Sequence, residues 1–252
     1  MNNLLKTYKT LESTLGPNSI ESFEIVNTVH DYRLFWKPKK VKTVLLAESH
    51  VYTSNSDYGS YLNPSYLKLP RYPNKYVRFV YCLGHGENAI LNLNIPKNSG
   101  TPEFWKIFYS CCNKINSRED FKSILKSKTE FDIRIKNKIK LLNSLKDRGI
   151  WLLDASIIAL YIPNKPKEES KPVYKTIDKC INICWDLLIE DILIKENPRN
   201  LICIGKTVEK VLNGKLNKMF GHNLTVLPQP NARLKPEDRL EVLQSYFGLC
   251  NQ

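Results

Sequence analysis

Three short stretches of this chain put chemically capable side chains directly after apolar runs. In LLAESHVYTS, Glu48, Ser49 and His50 follow a continuous apolar segment. A carboxylate and an imidazole two residues apart can act as a general acid/base pair; Glu48 and Ser49 equally suit the cap of a following helix. In GIWLLDASIIALY, Asp154 sits between two apolar runs. A charge buried there needs a partner, so Asp154 either caps a helix or reads a ligand. The third stretch, VLPQPNAR at 226–233, follows a short strand with Pro228, Gln229, Pro230, Asn231 and Arg233. Taken alone, it reads as a loop rich in turn residues.

These stretches need a scaffold, and the composition supplies one. The chain has 252 residues, 42% hydrophobic and 10% aromatic, enough for one sizeable core. Lys and Arg number 38 against 25 acids, a net charge of +13. Such an excess attracts polyanions through phosphate neutralisation and counterion release, which makes nucleic acid the expected partner; a general richness in Lys, Asn and Ile is the alternative source. The seven cysteines are odd in number and mostly inside apolar runs, with no Cys-x-x-Cys pair. Reduced, buried thiols are expected, with no metal and no cofactor. The His-x-Glu and Pro-Cys-x-x-Cys signature of zinc deaminases is absent. No signal-peptide core or membrane-length apolar run occurs, so a cytoplasmic protein with no membrane contact is expected.

Buried strands are predicted at 41–47, 150–155, 200–205 and 224–227. Five helices are predicted: one from Thr101-Pro102, with Thr101 as the cap, through FWKIFYSCCNKI; a second through RIKNKIKLLNSLKDR, stopping at Gly149; a third from near Pro172 to Asn197; a short fourth over KTVEKVLN to Gly214; and a last from near Pro236. Residues 54–75 and 163–172 read as loops. Alternating strands and helices predict a single three-layer α/β domain with a mostly parallel four-stranded sheet, its core at about 40–248 behind a helical N-terminal extension. In such sheets ligands bind beyond the carboxyl ends of the strands, where all three stretches fall.

The order AESH, GIWLLDA, LICIGKTVEKVL, VLPQPNAR resembles the uracil-DNA glycosylase superfamily. Its members carry GQDPY, GINPG or GEAPG after the first core strand, an LLLN strand whose Asn reads the base, an LLGKxA strand–helix, and a last motif such as HPSPL, MPSSSAR or LPNPS. The departures are specific. Ser49 stands where the family places its catalytic Asp or Asn, and His50 replaces a proline. Val51 replaces the tyrosine that blocks bases substituted at C5, and Leu227 stands where many members have His. Arg233 matches the arginine that fills the hole left by a flipped nucleotide in the mismatch-specific branch.

Asp154 replaces the base-reading Asn. Asn can donate to the C4 carbonyl of uracil, whereas a carboxylate only accepts and so suits the amino group of cytosine. Together with Val51, this tilts the expected substrate to a C5-modified cytosine, as in some phage DNA; uracil or mismatch excision, and non-catalytic nucleic-acid binding, remain the alternatives. The resemblance implies a monomeric, cofactor-free enzyme that flips a base out of DNA, at a cost of a few kcal/mol, and hydrolyses its N-glycosidic bond. Glu48 stabilises charge on the sugar and orients water. His50 or His85 assists the leaving base, Tyr81 or its rival Phe79 stacks on it, and Ser49 and Val51 line its pocket. Lys206, Pro228, Gln229, Pro230, Asn231 and Arg233 are expected to hold DNA, with Lys37–Lys42 and the lysines of 136–148 as further expected phosphate contacts.

Overall fold

The computed structural model describes residues 3–16, 19–126, 128–161, 176–229 and 234–251. Four parallel strands form its centre: β1 (Thr43–Ala47), β2 (Ile150–Asp154), β3 (Asn200–Ile204) and β4 (Leu224–Leu227), in the order β2-β1-β3-β4. Every residue of β1 and β2 is buried, as all-apolar strands covered on both faces must be. β4 is the half-exposed edge. In register, Ala47 pairs with Asp154 and Ile204 with Leu227, so the strands finish level with one another.

Helices α1 (Asn3–Leu15) and α2 (Phe23–Phe35) precede the sheet. Two single turns, α3 (Asn55–Tyr58) and α4 (Pro64–Leu67), lie within residues 54–75, read from the sequence as a loop. One helical layer holds α5 (Pro102–Cys112), α6 (Phe131–Arg148) and α10 (Pro236–Cys250). The other holds α1, α7 (Ile177–Cys184), α8 (Glu190–Glu196) and α9 (Lys206–Phe220), with a π-helical stretch, Trp185–Ile189, joining α7 to α8. The three-layer α/β architecture expected from the sequence is therefore present. Gly149, at φ 80°, ends α6, and Asn197, at φ 46°, ends α8, both by the left-handed conformation that stops helices.

Two expectations change. α9 does not stop at Gly214 but runs to Phe220, because Leu212, Leu216 and Phe220 continue its buried stripe. The first 39 residues are not a mere extension, since Leu4, Leu11, Ile25, Val29 and Tyr32 belong to the same core as the sheet. All seven cysteines are buried and free. Among the described residues no helix is long and apolar enough to cross a membrane. The loop at 163–172 and the start of the helix near Pro172 lie outside the described residues.

Candidate functional site

β1 sends its connection to one side of the sheet and β3 to the other, so the crevice between their carboxyl ends is the topological switch point. Glu48 leaves β1 there, 8% exposed. Its Oε1 accepts from the Tyr161 hydroxyl at 2.6 Å, and its Oε2 accepts from the Gln229 amide, which arrives from the end of β4. Gln229 crosses over Gly205, the residue after β3. Lys206 follows Gly205 as the exposed first residue of α9, at the rim of this crevice. Beyond β1 and β2 the two chains stay paired, Ala155 N–H bonding Ala47 O at 2.7 Å and Ser156 N–H bonding Glu48 O at 3.0 Å.

A small cleft of about 40 Å³ opens beside this point. Val51, Phe79, Val80, Phe104 and Leu152 form its apolar walls, and Ser49, His50, Arg78, Thr101 and Asp154 supply polar groups. Behind it runs a buried chain of charges. Arg33 Nη2 donates to Asp154 Oδ2, and His50 Nδ1 lies 3.9 Å from the same oxygen. On its other side, His50 Nε2 donates to Glu21 Oε2 at 2.8 Å. Glu21 also accepts backbone N–H bonds from Thr53 at 2.6 Å and Ala159 at 3.0 Å, which satisfies a carboxylate that is only 2% exposed. The Arg33 guanidinium lies over the Phe79 ring, 5.0 Å from its centroid, and His50 meets that ring edge-on.

Glu48, Ser49, His50, Val51, Phe79, Asp154 and Gln229 are thus gathered at one end of the sheet. Among the described residues Glu48 and His50 do not bond each other: Glu48 is held by the Tyr161 hydroxyl and the Gln229 amide, and His50 by the Glu21 carboxylate. Neither capping role occurs either. Ser54, not Glu48 or Ser49, caps α3, and Asp154 begins no helix among the described residues. Ser49 Oγ accepts from Leu160 N–H at 3.2 Å.

Tyr81 lies behind Phe79, stacked on Phe108, its hydroxyl accepting from Leu152 N–H at 2.9 Å; burial pushes its pKa well up. It is a core residue, whereas its rival Phe79 lines the cleft. His85 is also away from the cleft. Burial lowers its pKa to about 3, and its Nδ1 donates to Asn98 Oδ1 at 3.0 Å inside the 84–98 loop. Lys37 pairs with Glu196 at 2.5 Å, and Lys42 N–H bonds Gly149 O, so the Lys37–Lys42 cluster sits at the amino ends of the strands, opposite the cleft. In α6, Lys138 is buried against Glu87 at 2.8 Å instead of facing solvent. Pro228 is described and half-buried; Pro230, Asn231 and Arg233 lie outside the described residues.

Sequence reasoning missed Glu21, Arg33, Arg78, Thr101 and Tyr161. One of them had a readable signal. Arg33 falls on the stripe of α2 that includes Val26 and Val29, and an arginine on an apolar helical stripe implies a buried anion. Glu21 had none, because no periodic element contains it. No protein family, curated protein or solved structure compared with this chain matches it.

Proposed function

We propose that this chain is a DNA glycosylase that takes a C5-modified cytosine from DNA and hydrolyses its N-glycosidic bond, leaving an abasic site. The observation that carries the reading is the placement of two carboxylates, Glu48 and Asp154, at the ends of adjacent parallel strands, beside a cleft walled by Phe79. Their order along the chain is that of the motifs whose resemblance to the uracil-DNA glycosylase superfamily was noted above. Asp154 meets both Arg33 and His50 through Oδ2. In this reading Oδ1 serves as the acceptor for an exocyclic amino group, which cytosine has and uracil lacks.

In this mechanism Glu48 stabilises positive charge developing on the sugar and orients the attacking water, while Gln229 and Tyr161 fix its carboxylate. Phe79 stacks on the flipped base. The cleft is far below the roughly 300–1,000 Å³ of sites for drug-sized ligands, so the walls must part when a base enters. Val51, in the cleft wall, offers a short apolar face to a C5 substituent. The net charge of +13 supplies the attraction to DNA.

A non-catalytic nucleic-acid-binding protein is the second reading, favoured by Ser49 at the family's catalytic position and by the engagement of both Glu48 oxygens. Duplex oligonucleotides carrying uracil, cytosine, 5-methylcytosine or 5-hydroxymethylcytosine, plain and glucosylated, separate the two. Alkali-sensitive abasic sites at a modified cytosine are the expected product. Salt-sensitive binding with no base release would establish the second reading instead.

A further inference from the structure

Thr101 has the position of a helix cap without performing the role. A capping threonine takes extended backbone and accepts a hydrogen bond from the second or third N–H of its helix. Thr101 has φ 46° and ψ 59°, and its side chain makes no cap bond; Phe104 N–H bonds its backbone carbonyl instead, at 3.0 Å. The left-handed region is costly for a β-branched residue. Its Oγ1 is buried and has no partner among the described residues. An unsatisfied buried hydroxyl opposes folding, so this one contributes nothing to the free protein's stability.

The surrounding structure forces this conformation. Gly100, at φ 72°, is pressed against the preceding loop so closely that a Cβ would fall 2.5 Å from Gly86 Cα and 2.7 Å from His85 O. Asn98 ties the same segments together, accepting from Gly86 N–H at 2.6 Å and donating to Gly84 O at 2.8 Å. Glu87 in turn is held by Arg134, at 2.8 and 2.6 Å, and by Lys138. Strain that is over-determined in this way concentrates at ligand-binding sites.

Thr101 lines the cleft together with His50, which is 5% exposed and whose Nδ1 also has no hydrogen-bond partner among the described residues. Two residues from distant segments, each with a buried polar atom that makes no hydrogen bond among the described residues, therefore line one cleft whose walls include Phe79 and Phe104. We infer that Thr101 is a specificity-determining residue whose hydroxyl hydrogen-bonds a polar group of the base held in the cleft. This rests on the reading of the cleft as a base pocket, but not on catalysis.

Thr101→Val keeps the branched shape and removes only the hydroxyl; Thr101→Ser keeps the hydroxyl. The melting temperature, equilibrium binding of free cytosine, 5-hydroxymethylcytosine and uracil by ligand-detected NMR, and excision from the oligonucleotides above are measured for both and for the parent. The valine variant should melt at or above the parent temperature and lose about tenfold in base binding and in excision, the scale of one hydrogen bond. The serine variant should retain both. Unchanged binding in Thr101→Val, a melting temperature several degrees lower, or a parent protein that binds none of the bases and excises none overturns the inference. Thr101-dependent base binding without excision would sink the glycosylase reading alone, and excision indifferent to Thr101→Val would sink this inference alone.

Discussion

Gln229 reaches Glu48 only because residue 205 between them is glycine. A Cβ at Gly205 would stand 2.9 Å from Gln229 Nε2 and 3.0 Å from Cδ, and the backbone there has φ 107°, a region that side chains disfavour. The ends of β1, β3 and β4 are thereby linked through a single amide–carboxylate bond across the switch point.

Gly205→Ala should therefore displace Gln229 and lose excision activity. It should also lower stability by about 1–3 kcal/mol through the backbone conformation. Gln229→Ala should leave one oxygen of the buried Glu48 carboxylate short of a donor, costing about 1–3 kcal/mol of stability, and lose activity by about ten- to a hundredfold. Glu48→Gln should abolish excision while DNA binding persists. Denaturant melts and excision rates on the same proteins check all three. Full activity in Gln229→Ala would reduce the amide to a strut.

Arg33 and Asp154 form an ion pair with side chains 4% and 2% exposed. Removing one partner strands the other charge in the core, at a cost of about 3–5 kcal/mol. Arg33→Met should therefore destabilise strongly, and adding Asp154→Asn should recover much of the loss, because no unpaired charge then remains. A double-mutant cycle by chemical denaturation measures this coupling. Additive losses would mean that the pair is not a unit.

The sequence disclosed this site unevenly, for physical reasons. Strand ends are legible: a polar residue after four apolar ones marks the rim of a buried sheet, and Glu48 and Asp154 lie at the ends of β1 and β2. The partners of those residues were not legible. Arg33 and Glu21 come from segments more than a hundred residues from Asp154 and Ala159, and nothing local encodes such pairings. Tyr81 and Phe79 alternate in one short segment, and only packing decides that Tyr81 faces Phe108 while Phe79 faces the cleft. Thr101 looked like a cap because Thr-Pro is a strong local signal; the Gly86–Gly100 contact overrides it.

Two histidines, the buried His85 and the half-buried His30, make stability depend on pH. Burial lowers His85 to about 3, and burial together with the Arg33 charge lowers His30 to about 4. Unfolded histidine titrates near 6.5, so below that pH the unfolded chain binds protons that the folded chain refuses. The stability from these groups is complete above about pH 6.5 and is lost as the pH falls toward 3–4. Each histidine steepens the loss by at most about 1.4 kcal/mol per pH unit. His85→Asn keeps a donor for Asn98 and does not titrate, so it should flatten the profile between about pH 6 and about pH 4, while His30 leaves a residual slope. Unfolding free energy measured across that range checks it; an unchanged slope would mean that His85 is already solvated.

The sharpest test of the substrate concerns Asp154 itself. If its carboxylate accepts from the amino group of a cytosine, Asp154→Asn should lower excision of modified cytosine and raise that of uracil, because Asn can donate to a C4 carbonyl. A mispaired buried contact of about 1–3 kcal/mol changes selectivity by roughly ten- to a hundredfold. The ion pair with Arg33 predicts a simultaneous fall in stability, since the amide is a weaker partner for a buried guanidinium. That fall alone does not discriminate, because a carboxylate whose sole task is to hold Arg33 would show it too. The ratio of modified-cytosine to uracil excision does discriminate: it depends on what Oδ1 meets and not on how much protein is folded. A ratio unmoved by Asp154→Asn would make Asp154 a structural anion and return uracil to the position of expected substrate.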